Sequence, residues 1–472
     1  MATERTRSRF SRRTYLGKAA AVGTLGTVVL AGCLDDDDPE DPAAPDDDDD
    51  AIDDDVEDDD DEEPPEDDDV EDDDDVDDDA PEAGSFEIIH WWTAGGEEQA
   101  LNALLEGFLG EYGYDEEIID NNPAPGGAGA AIDAEIQTRV IDEDPPSTFQ
   151  IWPGESLRPY TDADVLADIG DIWDDEMQEA YVDDVIELAR PADQLVSVPI
   201  NIHRMNNMFY NVGVLEDAGI DPAEVTDVDG LLEGLDALED AGYVPLAHQT
   251  STEWSTLQLW ESLFIAQHGV EAYNTFLDRE MDGIAEEIEA TLELVVAASE
   301  YFSPDASAIA WDEANAQVIN GEAAVIHQGD WAAGQYGEAE GFEYETDWDY
   351  IPVPGTEEVY QVVIDSFVMP EPNPSPDLTQ EFLTYCGSID AQERFNPIKG
   401  SIPPRTDVPV EDFPPFLRDQ MDDFEASTAQ PPTVAHGSGF DPQGKSQLEE
   451  IFAAFIEDWD ASSAADRIVQ EL

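Results

Sequence analysis

Apolar side chains recur in two rhythms along this chain. Phe86, Ile88 and Ile89 form a short run of strand type, and Leu101, Leu104, Leu105, Phe108, Leu109 and Tyr112 then recur at helical spacing behind a Gly95-Gly96-Glu97 turn. The runs STFQIW, LVSVPINI, AAVIH and VYQVVIDSFVM are again strand-like, and helical stretches such as 253–279 and 283–302 separate them. Strands alternating with helices over some 390 residues predict an α/β protein with mostly parallel sheets. No repeat of fixed period is present.

The first 83 residues follow another rule. An apolar run from Ala19 to Ala31 is too short to span a bilayer and is rich in small residues, as in a signal peptide. SRRTYL, with Arg12 and Arg13, resembles the twin-arginine export signal, and Leu30-Ala31-Gly32-Cys33 resembles a lipobox whose cysteine is lipidated. Residues 35–82 then hold 34 acidic side chains and no basic one. Such a tract buries too little to offset ordering entropy, so it is expected to be disordered, with a reach of at most about 170 Å. Residues 1–33 are therefore expected to be an export signal, and 34–83 a linker.

Charge changes the picture of the surface rather than of the fold. From position 83 onward 82 acidic side chains face 11 basic ones. That field excludes nucleic acid and anionic lipid as partners and suits a halophile, where salt screens the self-repulsion. Two cysteines, Cys33 and Cys386, allow no disulfide framework, and six scattered histidines show no metal-ligand spacing. No HExxH, GxSxG or P-loop motif occurs, so neither catalysis nor a cofactor nor a metal is expected. Paired carboxylates of glycosidase type carry little weight in so acidic a chain.

Polar and aromatic residues gather where the strand-like runs end. Trp91 and Trp92 follow the first, Gln150 and Trp152 close another, Asp330 and Trp331 follow AAVIHQG, and Asp365 lies in VVIDSF. Ligands of open α/β sheets bind beyond the carboxyl ends of strands, so these groups point to one cleft. Indole faces suit the C–H face of a pyranose, and interspersed carboxylate, amide and ammonium groups suit its rim of hydroxyls.

Seven stretches in order, HWWTAGGEEQALNAL, DPPSTFQIWPG, VPINIHRMNNMFYN, WDEANAQVINGEAAVIHQGDWAAGQY, PGTEEVYQVVIDSFVMP, FNPIKGSIPPRTDV and VAHG, resemble the extracellular solute-binding proteins of sugar ABC transporters, within them the glucose/mannose-binding branch. The resemblance runs from about residue 88 to 437. It implies a two-lobed periplasmic-binding-protein fold of type II. One lobe comprises 84–200 with about 360–400, the other about 201–359 with 401–472, and crossings fall near Val198–Asn201 and Val359–Ile364. It further implies that Trp91, Trp92, Glu97 (with Glu98 adjacent), Gln150, Trp311, Trp331, Asp365, Lys399 and His436 hold the sugar, with Trp152 where relatives often carry histidine. Asn207 and Phe209 stand where relatives often have tryptophan, which bears on the sugar. The expected ligand is glucose or a related hexose, with a disaccharide or polyol as alternative. The expected partner is an ABC permease, met by a monomer held at the outer membrane face through Cys33. An extracellular glycoside hydrolase is the competing class.

Overall fold

The computed structural model describes residues 85–93, 96–124, 135–140 and 144–472. The expected export signal with Cys33, the expected acidic linker and Gly95 of the first turn lie outside the described residues. Among those residues no helix is long and apolar enough to cross a membrane.

Two sheets organise the molecule. The first has the order β2-β1-β3-β11-β4, built from β1 (Phe86–His90), β2 (Ile119–Pro123), β3 (Thr148–Ile151), β4 (Ser197–Pro199) and β11 (Ser366–Val368). The second has the order β7-β8-β6-β9, built from β6 (Asn207–Asn211), β7 (Val244–Ala247), β8 (Ala323–Gln328) and β9 (Trp348–Pro352). Between them β5 (His203–Arg204) pairs antiparallel with β10 (Val362–Val363), and Ile202 and Ile402 exchange backbone hydrogen bonds of 2.8 and 3.0 Å beside that pair.

The sheets are mixed, which corrects the expectation of mostly parallel pairing. β1 is parallel to both β2 and β3, and β7 is parallel to β8, but β11 runs antiparallel to β3 and β4, and β6 antiparallel to β8 and β9. The helical-crossover logic of parallel sheets holds where a helix joins neighbouring strands. β11 instead enters the first sheet directly from the two-stranded pair, with one residue pair, Ile364-Asp365, between β10 and β11, and no helix to reverse it.

Each sheet has its own buried core. Phe86, Phe149, Phe367 and Phe382 lie in one cluster, while Trp260, Phe264, Phe276 and Phe452 lie in another. A third cluster, with Phe209, Tyr336, Trp348 and Phe416, packs against the second sheet as well. Pro199 and Asn207 lie in strands of different sheets, and the chain returns to the first sheet through 359–365. Residues 404–406 still bond to the first body: Val182 N–H donates to Pro404 O at 3.0 Å and Thr406 N–H to Ala180 O at 2.8 Å.

Helices set the walls of the gap between the sheets. α1 (Gly96–Tyr112) buries Leu101, Leu104, Leu105 and Phe108 against the first sheet. α2 (Trp254–Leu277), α3 (Trp311–Ile319) and α4 (Ala332–Glu338) start at the gap from the second side. α5 (Ile389–Lys399) ends there on Gly400, in the left-handed region at φ 78°. Glycines let the backbones of the two sides come close. A Cβ on Gly400 would lie 3.0 Å from Asp330 O, and one on Gly334 would lie 3.4 Å from Ile398 O and 3.9 Å from Gly96 Cα.

Candidate functional site

Because β1 stops at His90, the two tryptophans that follow escape strand alternation, and both face the same cavity. Trp91 packs its ring on Trp152 with centroids 4.6 Å apart. Trp92 is buried between Phe395 at 5.0 Å and Phe367 at 5.8 Å, with the Lys399 ammonium 5.8 Å from its ring centroid. Lys399 Nζ donates to Glu97 Oε1 at 2.9 Å, joining the end of α5 to the first turn of α1. Glu97, not Glu98, lines the cavity.

The far wall is aromatic too. Trp331, at the start of α4, donates from Nε1 to Gln328 Oε1 at 3.0 Å and lies 6.0 Å from Trp254. His436 sits in the middle of this wall, with centroid distances of 5.5 Å to Trp152, 5.5 Å to Trp254 and 5.4 Å to Trp331. Burial, with Lys445 and Lys399 nearby, holds its imidazole down at about 3, so the ring is neutral. Nδ1 pairs with Thr433 Oγ1 at 3.0 Å, leaving Nε2 buried without a partner among the described residues. The indole N–H groups of Trp92 and Trp254 are buried and unpartnered in the same sense.

Asp365 closes the floor. Gln150 donates to its Oδ1 at 3.0 Å and Asn201 to its Oδ2 at 2.8 Å, while its own N–H donates to Asn201 Oδ1 at 2.8 Å. Burial raises its pKa, and Lys399 and these amides oppose that shift. The cavity spans about 440 Å³ of non-atom space, part of it open to solvent.

Trp91, Trp92, Glu97, Trp152, Trp311, Trp331, Asp365, Lys399 and His436 all line this one cavity. Gln150 does not; it stands behind, accepting from Trp91 N–H at 3.1 Å while holding Asp365. Three lining residues escaped the sequence reading: His203, Trp254 and Val363. Asn207 and Phe209 are away from the cavity. Asn207 donates to Arg204 O at 3.1 Å, and Phe209 packs in the third core cluster. Their departure from the resemblance therefore affects the second sheet rather than the cavity wall. Among the described residues no group of three or more His, Cys, Asp or Glu side chains could hold a metal ion.

Residues 94–393 match the family model described as bacterial extracellular solute-binding protein. The chain belongs to this family. A xylose/arabinose-binding protein, XacG, of Haloferax volcanii is 37% identical over 388 residues, covering 81% of this chain and 83% of its own length. An uncharacterized ABC transporter extracellular-binding protein of Pyrococcus horikoshii is 35% identical over 387 residues, or 82% of this chain and 87% of that protein. Among solved structures, the bacterial solute receptor AcbH, described as having an exclusive preference for β-D-galactopyranose, superposes with a TM-score of 0.71. It covers 82% of this chain and 98% of its own at 14% identity, so it speaks for the fold alone. That fold is the two-lobed, type II arrangement of periplasmic binding proteins.

Proposed function

We propose that this solute-binding protein is the sugar receptor of an ABC transporter, capturing a single pyranose outside the cell and presenting it to a membrane permease. The carrying observation is the cavity wall: indole faces stand beside Trp92 Nε1, Trp254 Nε1 and His436 Nε2, which are buried and without a partner among the described residues. A sugar hydroxyl both donates and accepts, so it satisfies such atoms while its C–H face meets the rings. Asp365 supplies acceptors from one side and Trp331 a platform from the other. A ligand touching both favours the closed arrangement of the lobes by population shift. The ligand-contact roles of the lining residues, and the lobe boundaries, are part of this proposal.

For the sugar itself, the sequence resemblance favours glucose. The name of the H. volcanii relative favours a pentose instead, and we place xylose and arabinose before glucose on the strength of 37% identity. Calorimetry in molar NaCl or KCl with pentoses, hexoses, disaccharides and amino acids decides it. Heat from a pentose or hexose alone is the expected outcome, and no response to any sugar would sink the reading. Release of product from aryl glycosides would instead favour the hydrolase class. Export through the twin-arginine route and a lipid on Cys33 complete the proposal; a Cys33→Ser variant should leave the membrane fraction and appear in the medium.

A further inference from the structure

His203 lies where the chain crosses between the two sheets, 1% exposed, with its ring edge-on to Trp331 at 5.3 Å and 83°. Both ring nitrogens are engaged. Nδ1 is hydrogen-bonded to Asp330 Oδ1, and Nε2 is 3.2 Å from Asn201 Nδ2. The same Asn201 amide donates to Asp365 Oδ2 at 2.8 Å, and Asp365 in turn holds Gln150, which holds the backbone of Trp91. An unbroken run of hydrogen bonds thus starts beside Trp331 on one side of the cavity, passes through the crossing strand and ends at Trp91 on the other.

Donor and acceptor capacities fix the proton. An amide nitrogen can only donate, so Nε2 accepts from Asn201 and the ring hydrogen sits on Nδ1, donating to the Asp330 carboxyl. Burial presses the His203 imidazole well below its ordinary range, which keeps this neutral form. Asp330 Oδ2 is held independently by Arg204 N–H at 3.0 Å. Asn201 commits its two amide hydrogens to Nε2 and Asp365, and its oxygen to Asp365 N–H. Nothing in the run is free to turn without leaving a buried polar atom unpaired.

We infer that His203 is a positioning residue for ligand binding: it joins the ligand-facing groups of the two lobes through the crossing strand and sets Asp365 and Trp331 in their binding geometry. This rests on the sugar-receptor reading. The role needs an N–H at the Nδ1 position for Asp330 and an acceptor at the Nε2 position for Asn201. An asparagine at this site carries its amide at about the place of Nδ1, a glutamine carries it at about the place of Nε2, and a leucine carries neither.

The test compares His203→Leu, His203→Asn and His203→Gln in the full chain, by calorimetry with the sugar to which the wild type responds. Leu, which breaks both ends of the run, is expected to weaken affinity by about tenfold or more, and Asn and Gln, which each keep one end, by less than Leu. Equal affinity in wild type and the Leu variant overturns the role, as does a loss in Asn and Gln as large as in Leu when melting shows all three folded. If the Leu variant does not fold, Asn and Gln decide alone, and wild-type affinity in both overturns the role. A wild type that binds no sugar overturns the receptor reading itself, separately from any His203 result.

Discussion

Trp331 and Asp365 both face the cavity, yet their burial gives them different costs of removal. Asp365 is a carboxyl 3% exposed whose burial already opposes its charge. Asp365→Ala removes that strain along with the acceptor but leaves the buried Gln150 and Asn201 amides unpaired, so sugar affinity should fall about tenfold or more and stability by about 1–3 kcal/mol. Trp331 sits within the first core cluster. Trp331→Ala should lose comparable affinity and also about 3–5 kcal/mol of stability from the cavity it leaves. Calorimetry paired with thermal melts separates the two, and equal affinity in both variants would show the ligand lies elsewhere. At this scale the sequence was informative where aromatic and polar residues clustered at strand ends. It was silent for Trp254, which opens a helix whose apolar content reads as core. It was silent for His203 too, a lone histidine whose one hint is the polar company of Asn201 and Arg204 in an otherwise apolar stretch.

Two elements bring the wall together, and each gives a test. α2 carries Glu261, fully buried, which accepts from Val434 N–H at 2.7 Å, from Ala435 N–H at 3.0 Å and from the Tyr273 hydroxyl, so it clamps the turn that carries His436. Burial outweighs these donors and the Lys445 charge, and raises its pKa from 4.5 to about 7. A carboxyl raised on folding binds its proton in the folded state first. Its contribution to stability is therefore full below about 4.5 and declines as pH rises towards about 7. The stability difference between wild type and Glu261→Gln, from denaturant titrations, should show that decline, and a flat difference would refute it. The second element is the end of α5. Gly400→Ala strains a backbone held at φ 78° and presses a Cβ 3.0 Å from Asp330 O, so both affinity and stability should drop. Gly219→Ala has a similar φ of 74° with nothing within 4 Å, so it should lose about 1 kcal/mol of stability and no affinity. The existence of α1 and α2 was legible from apolar spacing. The direction of β11 was not, because pattern along one strand carries no information about which body the chain has just left.

Over the whole molecule, negative charge prevails. With 82 acidic and 11 basic side chains from position 83 onward, self-repulsion opposes the compact state wherever salt is dilute. The screening length shrinks from about 10 Å at 0.1 M to about 3 Å at 1 M, so the melting midpoint should climb steadily over that range in KCl. Sugar affinity should change far less, since stacking and neutral hydrogen bonds are little screened. A midpoint that falls with salt would contradict the first expectation. The acidic surface was plain in the sequence, as was the class of cavity it surrounds. The mixed topology was not, because it depends on how the two sheets share one chain.

Basic side chains are not only scarce but unevenly placed. The chain has three lysines, Lys18, Lys399 and Lys445, and Lys18 lies outside the described residues. Lys399 and Lys445 are 2% and 6% exposed, set over the rings of Trp92 and Trp152. Among the described residues the outer surface therefore offers no primary amine to an acylating reagent. Succinimidyl esters should leave this body unmodified while its lobes stay together and reach Lys399 and Lys445 only when they part. The rate of that acylation would then be a clock for opening, slowed by whatever solute holds the cleft shut.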